Sequence, residues 1–548
     1  MKRFWVGFLL LCAASLAWSQ VPPAKPTPDF AHASQFPDDY VGNEACAKCH
    51  AKIYQSYRST PMAHSSGLAT DNLIPADFTH NESGVHYRIY SESGRAWLSF
   101  DRDGENVVHG KRQLLYFIGS GQSRGLTYLF ADDGFLFESP INWYTARQAW
   151  DMTPSYQYDR EIPLNLPVYT SCLHCHVSGM RPPVEGSDNR YAIPVLSHSG
   201  ISCERCHGPG AAHLHGGSIV NPAKLAPERR DGICMQCHLE GRVSVERPGR
   251  HIYDFQPGDS LSDYVRYYVM PTSGASSLGA VSQVEALTQS TCKKMSGDKM
   301  SCTSCHDPHF SPPSQERVSY YHEKCLACHS VAFGAKHHPN QPDCTSCHMP
   351  ASLSRDVAHT EVTDHRILRH PQVLSMQEAK GRPAPALVPF PDTPEAENDV
   401  RSYAFAWEML ANTGVESARP KANAMLRQAL AKLPNDPALL SALGYEEQRH
   451  GSSTAARELY HSNDAASNLA VIEVQAGSLA HAIELWRGVF ERNPGSSAVG
   501  LNLARMLCIS GRIDDSRAAV ARVLEFNPDM SPARKLQRQL EHTNPQCE

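Results

Sequence analysis

Seven copies of one five-residue string, Cys-x-x-Cys-His, constrain this chain more than any other feature. They start at Cys46, Cys172, Cys203, Cys234, Cys302, Cys325 and Cys344, and the last three crowd into residues 301–350. With 18 cysteines and 28 histidines among 548 residues, only about 0.03 such strings are expected by chance, so the seven represent a repeated site. Two thiols one helical turn apart can add to the two vinyl groups of one haem while the next imidazole meets its iron, which makes each string one covalent haem c site. A zinc site needs four ligands and no histidine after every pair. Disulfides would leave all seven histidines without a role.

The attachment thiols are then Cys46 and Cys49, Cys172 and Cys175, Cys203 and Cys206, Cys234 and Cys237, Cys302 and Cys305, Cys325 and Cys328, and Cys344 and Cys347. The proximal iron ligands are His50, His176, His207, His238, His306, His329 and His348. Sixteen further histidines lie between residues 40 and 375, enough for seven sixth positions but not paired by sequence. The candidates are His64, His198, His213, His309, His359 and His365. At the first site His64 is preferred to Met62. His309 follows its own proximal histidine too closely to reach the same iron and suits a neighbouring haem. His251, His322, His337, His338 and His370 stand evenly between ligand and surface residue. His80, His86 and His109 are assigned to packing or surface.

Lys2 and Arg3, an apolar run from Phe4 to about Leu16 and Ala17-Trp18-Ser19 read as a secretion signal over residues 1–19. No later stretch approaches the roughly twenty apolar residues of a membrane span. Covalent haem is attached outside the bacterial cytoplasm, so the expected location is periplasmic or extracellular. The net charge of -6 provides no basic footprint for nucleic acid, and redox partner proteins are expected instead.

Proline-rich residues 20–40 read as an extended leader, and 41–370 as the seven-haem domain. Within it, VHYRIY, RAWLSF, RQLLYFIG, GLTYLF and FLFESP alternate with period two, which predicts a small antiparallel β insertion over 84–144. Elsewhere the haem domain has little periodicity, so the expected fold class is mainly α with little regular structure around the haems. Six prolines over 371–394 mark a linker reaching residue 395. Beyond it Asn493-Pro494 and Asn527-Pro528, Gly477 and Gly511, and Leu469 and Leu503 are each spaced by 34, the period of tetratricopeptide repeats, which predicts an α-solenoid over 396–540. Cys508 is expected in its core and Cys547 in a frayed tail. Cys292 has no assigned role.

Taken together, YVGNEACAKCH, YQSYRSTPMAHSS, ISCERCHGPGAAH, MSCTSCHDPH and CTSCHMP leading to TDHRI resemble secreted bacterial multihaem cytochromes c with a C-terminal tetratricopeptide array. The haem part is similar to the tetrahaem cytochromes that accept electrons from hydroxylamine oxidoreductase. The resemblance implies mostly bis-histidine haems in stacked pairs, with His309, His359 and His365 at ligand-like positions. The functional expectation is electron transfer through seven haems, with the repeats as a docking platform. An oxidoreductase acting on a small nitrogen or sulfur compound at one open haem is the rival, and a subunit of an extracellular cytochrome wire is the third reading.

Overall fold

A computed structural model describes residues 39–103, 108–120, 125–154, 156–270, 278–330, 332–333, 336, 341–354, 360–369, 386–460, 465–542 and 547. The expected signal sequence, leader residues 20–38 and linker residues 371–385 lie outside the described residues. Among the described residues no helix is long and apolar enough to cross a membrane.

The N-terminal region is built on one antiparallel sheet. Its strands are β1 (Ser66–Leu68), β2 (Ala76–His80), β3 (Val85–Glu92), β4 (Arg95–Arg102), β5 (Val108–Ile118), β6 (Gly125–Asp132), β7 (Phe135–Tyr144) and β8 (Ala149–Met152). Strands β2 to β8 pair in sequence order, and β1 pairs with the far end of β5. Period-two alternation points Val85, Tyr87 and Ile89 of β3 and Ala96, Leu98 and Phe100 of β4 into a common core, with Tyr87 opposite Phe100 and Ile89 opposite Leu98. The two ends of the series, β2 and β8, meet, and the Trp150 indole N–H donates to the Pro75 carbonyl at 3.0 Å just ahead of β2. The seven strands therefore form a nearly closed, barrel-like sheet.

This corrects the expectation of a mainly α chain with a small β insertion over 84–144. The runs that alternate visibly are β3 to β7. Strands β1, β2 and β8 have three, five and four residues, too few for period two to stand out, and closure is not written into any one strand. His80 is buried and bonded to Ser83 Oγ at 2.9 Å, and His86 faces Asp77 at 3.0 Å, so both serve the sheet.

From residue 156 to 369 the elements are short. The longest helices, Pro227–His238 and Arg317–Leu326, each lead into or carry an attachment motif. A three-stranded sheet joins Val243–Glu246, Val265–Val269 and Val388–Phe390. The C-terminal part then stacks antiparallel helix pairs, such as Leu479–Arg492 with Ser497–Ile509 and Ile513–Phe526. Gly477 and Gly511, one period apart, have φ of 81° and 75° at the inter-helix turns, where a side chain would be strained. At Gly500 a Cβ would come within 2.5 Å of Phe490 and Val523, so the crossing requires glycine. Cys508 is buried there as expected, but it is disulfide-bonded to Cys547, which ties the tail back to the core.

The array is anchored at both ends. Its first long helix, Val400–Asn412, packs Trp407 and Leu410 on Val243, Val245 and Tyr268, and Asp399 at its cap pairs with Arg247 and Arg266. At the other end Phe526 enters the core of the β1–β8 sheet, with its ring 4.9 Å from that of Phe137. Around it Arg102 pairs with Asp529 at 2.6 Å, buried Arg112 donates to the Glu525 carbonyl at 2.7 Å, and Leu164 N–H donates to the Phe526 carbonyl at 3.0 Å.

Removing the ring in Phe526→Ala is expected to destabilise the sheet by about 3–5 kcal/mol, as core aromatic truncations do. Urea unfolding followed through the β signal checks it, and an unchanged midpoint would refute the docking. A second expectation concerns pH. Burial raises the Glu138 carboxyl from its ordinary 4.5 to about 7, against hydrogen bonds from Asn142 and Thr127 that favour the anion. The native state thus holds this proton more tightly than the unfolded chain, so its stabilising contribution is complete below about pH 4.5 and is lost as pH rises through about 7. Glu138→Gln, neutral throughout, should match the wild type at pH 4 and melt higher than it at pH 8. Equal differences at both pH values would contradict this.

Candidate haem sites

Each motif winds into about one helical turn. The histidine N–H donates to the carbonyl of the first cysteine at 2.9 Å in Cys46–His50, 3.0 Å in Cys203–His207, 3.0 Å in Cys302–His306 and 2.8 Å in Cys325–His329. That bond places cysteine and histidine side chains on one face, as covalent attachment with axial ligation demands. In the last motif the turn is capped by Asp343, whose carboxylate accepts from Thr345 and Ser346 N–H at 3.0 and 3.1 Å. The second motif departs from this, since His176 N–H donates to Leu173 at 3.0 Å.

Six of the seven motifs border one cavity of about 3400 Å³. Ordinary ligand pockets span about 300–1,000 Å³, and folded interiors hold few voids larger than a water molecule. Ten of the fourteen attachment thiols line this space, from Cys175, Cys206, Cys234 and Cys237 through Cys302 and Cys305 to Cys325, Cys328, Cys344 and Cys347. His238 and His306 are surrounded by protein, which lowers both imidazole pKa values, that of His306 to about 4. Each nevertheless has open ring surface, because what it faces is the cavity. The residues present therefore fit several large apolar plates held by thioether links.

The histidine rings are oriented by hydrogen bonds at Nδ1. His207 Nδ1 lies 2.9 Å from the Val220 carbonyl and His348 Nδ1 2.6 Å from that of Leu368. An Nδ1–H donated to a carbonyl leaves Nε2 with its lone pair for a metal. Two of the sequence candidates come opposite proximal histidines. The rings of His207 and His309 are 6.0 Å apart and within 7° of parallel, and those of His306 and His365 are 6.2 Å apart at 27°. Each of these pairs would present two imidazoles to one haem iron. His365 Nδ1 is also 2.9 Å from the Thr363 carbonyl.

The other candidates divide. His198 packs against Gly42 beside the first motif, where a Cβ on Gly42 would be 2.8 Å from its ring. His64, preferred for that site from sequence, has Nε2 2.5 Å from the Arg58 carbonyl and so uses the nitrogen a metal would take. His213 is exposed, with Nδ1 3.0 Å from the Gly217 carbonyl. His251 is bonded to Glu246 at 2.9 Å. His359, His337, His338 and His370 lie outside the described residues.

Thiols of different motifs face one another and define neighbours: Cys46 with Cys203, Cys175 with Cys237, Cys234 with Cys302, and Cys325 with Cys344. Burial together with Cys46 pushes the Cys203 thiol up to about 12, and burial with Cys344 does the same for Cys325. Cys292, unassigned from sequence, lies in the cavity wall near Cys305 and Cys325. Sequence reasoning also missed the residues at the variable positions of the third motif. Glu204, 1% exposed, accepts from Val41, Gly42 and Gly210 N–H at 2.9 Å each and so ties this motif to the start of the first. Arg205 reaches His174 inside the second motif. The available signal was only a pair of opposite charges at the variable positions, which no other motif carries.

Comparison with known proteins finds matches over three segments of the chain. Residues 143–208 match the cytochrome c554 and c-prime family, residues 295–334 a doubled CXXCH motif, and residues 473–540 the tetratricopeptide repeat. The chain is 26% identical over 188 residues to the multihaem cytochrome MtrA of Shewanella baltica, an alignment covering 30% of this chain and 54% of that protein. The chain thus spans about half the length of that curated relative. The crystal structure of the outer cell wall cytochrome OcwA superposes with a TM-score of 0.39 at 15% identity, covering 80% of this chain and 99% of that one. From its motifs and these matches, the polypeptide is a haem c-binding chain of multihaem c-type cytochrome segments followed by a tetratricopeptide repeat.

Proposed function

We propose that this chain is an exported electron-transfer protein that holds seven haem c groups and passes electrons along them between partner proteins. The observation that carries the reading is the single cavity bordered by cysteines of six motifs. It gives the cofactors tethered at those six motifs a common volume in place of separate pockets. When bound, haem supplies iron that cycles between ferric and ferrous states. The chain fixes where each group is tethered, orients the imidazoles through Nδ1 and keeps bulk water from much of each plate.

His309 is proposed as sixth ligand at the third site, His365 at the fifth and His198 at the first. His64 remains the alternative proposed ligand at the first site, and His213 and His359 remain proposed ligands for other sites. Export to the periplasm or beyond is supported by the Cys508–Cys547 disulfide, a bond that persists in oxidising compartments. The middle helices of the repeat array, between its two docked ends, are the proposed face for a redox partner.

Two measurements test the reading. The pyridine haemochrome assay should yield seven haems per chain, and a lower ratio in fully loaded protein would reject the count. Low-temperature electron paramagnetic resonance of the oxidised protein should show low-spin ferric haem. His309→Ala should convert about one haem's worth of signal to high spin, as loss of a sixth ligand does. An unchanged low-spin spectrum would remove His309 as a ligand, and a high-spin fraction in the wild type would move the reading to an enzyme with an open iron.

A further inference from the structure

Arg205 occupies the second variable position of the third motif, and its side chain crosses to the second. Nη2 lies 2.9 Å from Nε2 of His174 and 3.3 Å from the His174 carbonyl oxygen, to which it donates. Nε is buried and has no hydrogen-bond partner. The guanidinium also borders the cavity and acts electrostatically on Cys175, Cys206 and Cys237, one thiol from each of the second, third and fourth motifs.

The adjacent carboxylate, Glu204, is committed to the amides of Val41, Gly42 and Gly210. Among the described residues no acidic side chain forms an ion pair with Arg205, and the side chain it reaches is the imidazole of His174. A permanent cation with a desolvated Nε thus stands where three attachment sites converge. A guanidinium stays charged at every relevant pH, and its field in a low-dielectric interior is far less screened than at the surface.

Taking up one electron removes one positive charge from a haem iron, so a fixed cation favours the reduced state. We infer that Arg205 sets the redox balance of this junction: it raises the reduction potentials of the haems tethered at the second, third and fourth motifs and makes them the preferred resting place of electrons entering the cluster. The inference rests on the haem reading above. Arg205 acts here through its field and not as an iron ligand.

The test is optical potentiometric titration of the holoprotein carrying Arg205→Gln, Arg205→Lys or His174→Glu. Removing the charge with Gln, or neutralising it in place with a carboxylate at position 174, should shift part of the titration curve to lower potential. The Lys variant, which keeps the charge, should return it toward the wild type. Haem content and the absorption envelope should stay constant across the series. Curves that superimpose for the Gln and Glu variants, or a Lys variant shifted as far as Gln, would overturn the inference and leave Arg205 as a brace between two motifs. A wild-type protein without c-type haem in the haemochrome assay would instead defeat the haem reading itself.

Discussion

The constraint on which the molecule depends is the covalent tether. A thioether link at each of two cysteines one turn apart fixes a haem to a short piece of backbone whatever the neighbouring chain does, so long helices are unnecessary. This is why residues 156–369 contain mostly one- and two-turn elements and why their side chains leave about 3400 Å³ between them. In an ordinary domain such a void would forfeit the contacts that stabilise the fold. Here that space stands in place of a side-chain core, and the imidazoles of His348 and His365, oriented at Nδ1 by the Leu368 and Thr363 carbonyls, are part of its wall.

Among the described residues before 156, only Ser59 to Met62, Ser120 and Ala146 touch that volume. The barrel-like sheet has its own apolar interior and does not rely on the cofactors, as shown by the complete burial of Val85, Tyr87, Leu98 and Phe130. The helical repeats reach from the 243–269 hairpin to the sheet and are held at each contact by an aromatic side chain and partly buried arginine–aspartate pairs. An array fixed in this way has a set curvature, which limits how far a docking protein could reshape it. Repeat arrays otherwise flex through small rotations per unit.

The parts of this design that the sequence displays are those imposed by local chemistry. The seven motifs are visible because haem attachment dictates their spacing, and the repeats because Gly477 and Gly511 must recur at the same turn. Strands β3 to β7 show because each is long enough for its alternation to register. What stays hidden depends on residues far apart in the chain. His309 and His365 could be named as ligand-like, but their positions opposite His207 and His306 follow from how the loops cross. The disulfide of Cys508 with a tail residue obeys no spacing rule. Phe526 reads as one more core position of a repeat helix, and nothing around it announces that its ring belongs to a different domain.

That last contact has a bearing on how the molecule is made. The core of a sheet whose strands end at residue 152 is completed by a side chain at 526, so the N-terminal region cannot finish folding while the chain is still emerging in order. Contacts of such long sequence separation form late, because closing the intervening loop carries an entropic penalty before the contact can repay it. Until the last repeats arrive, the sheet lacks that side chain in its core, so its final packing waits on the helix that carries Phe526.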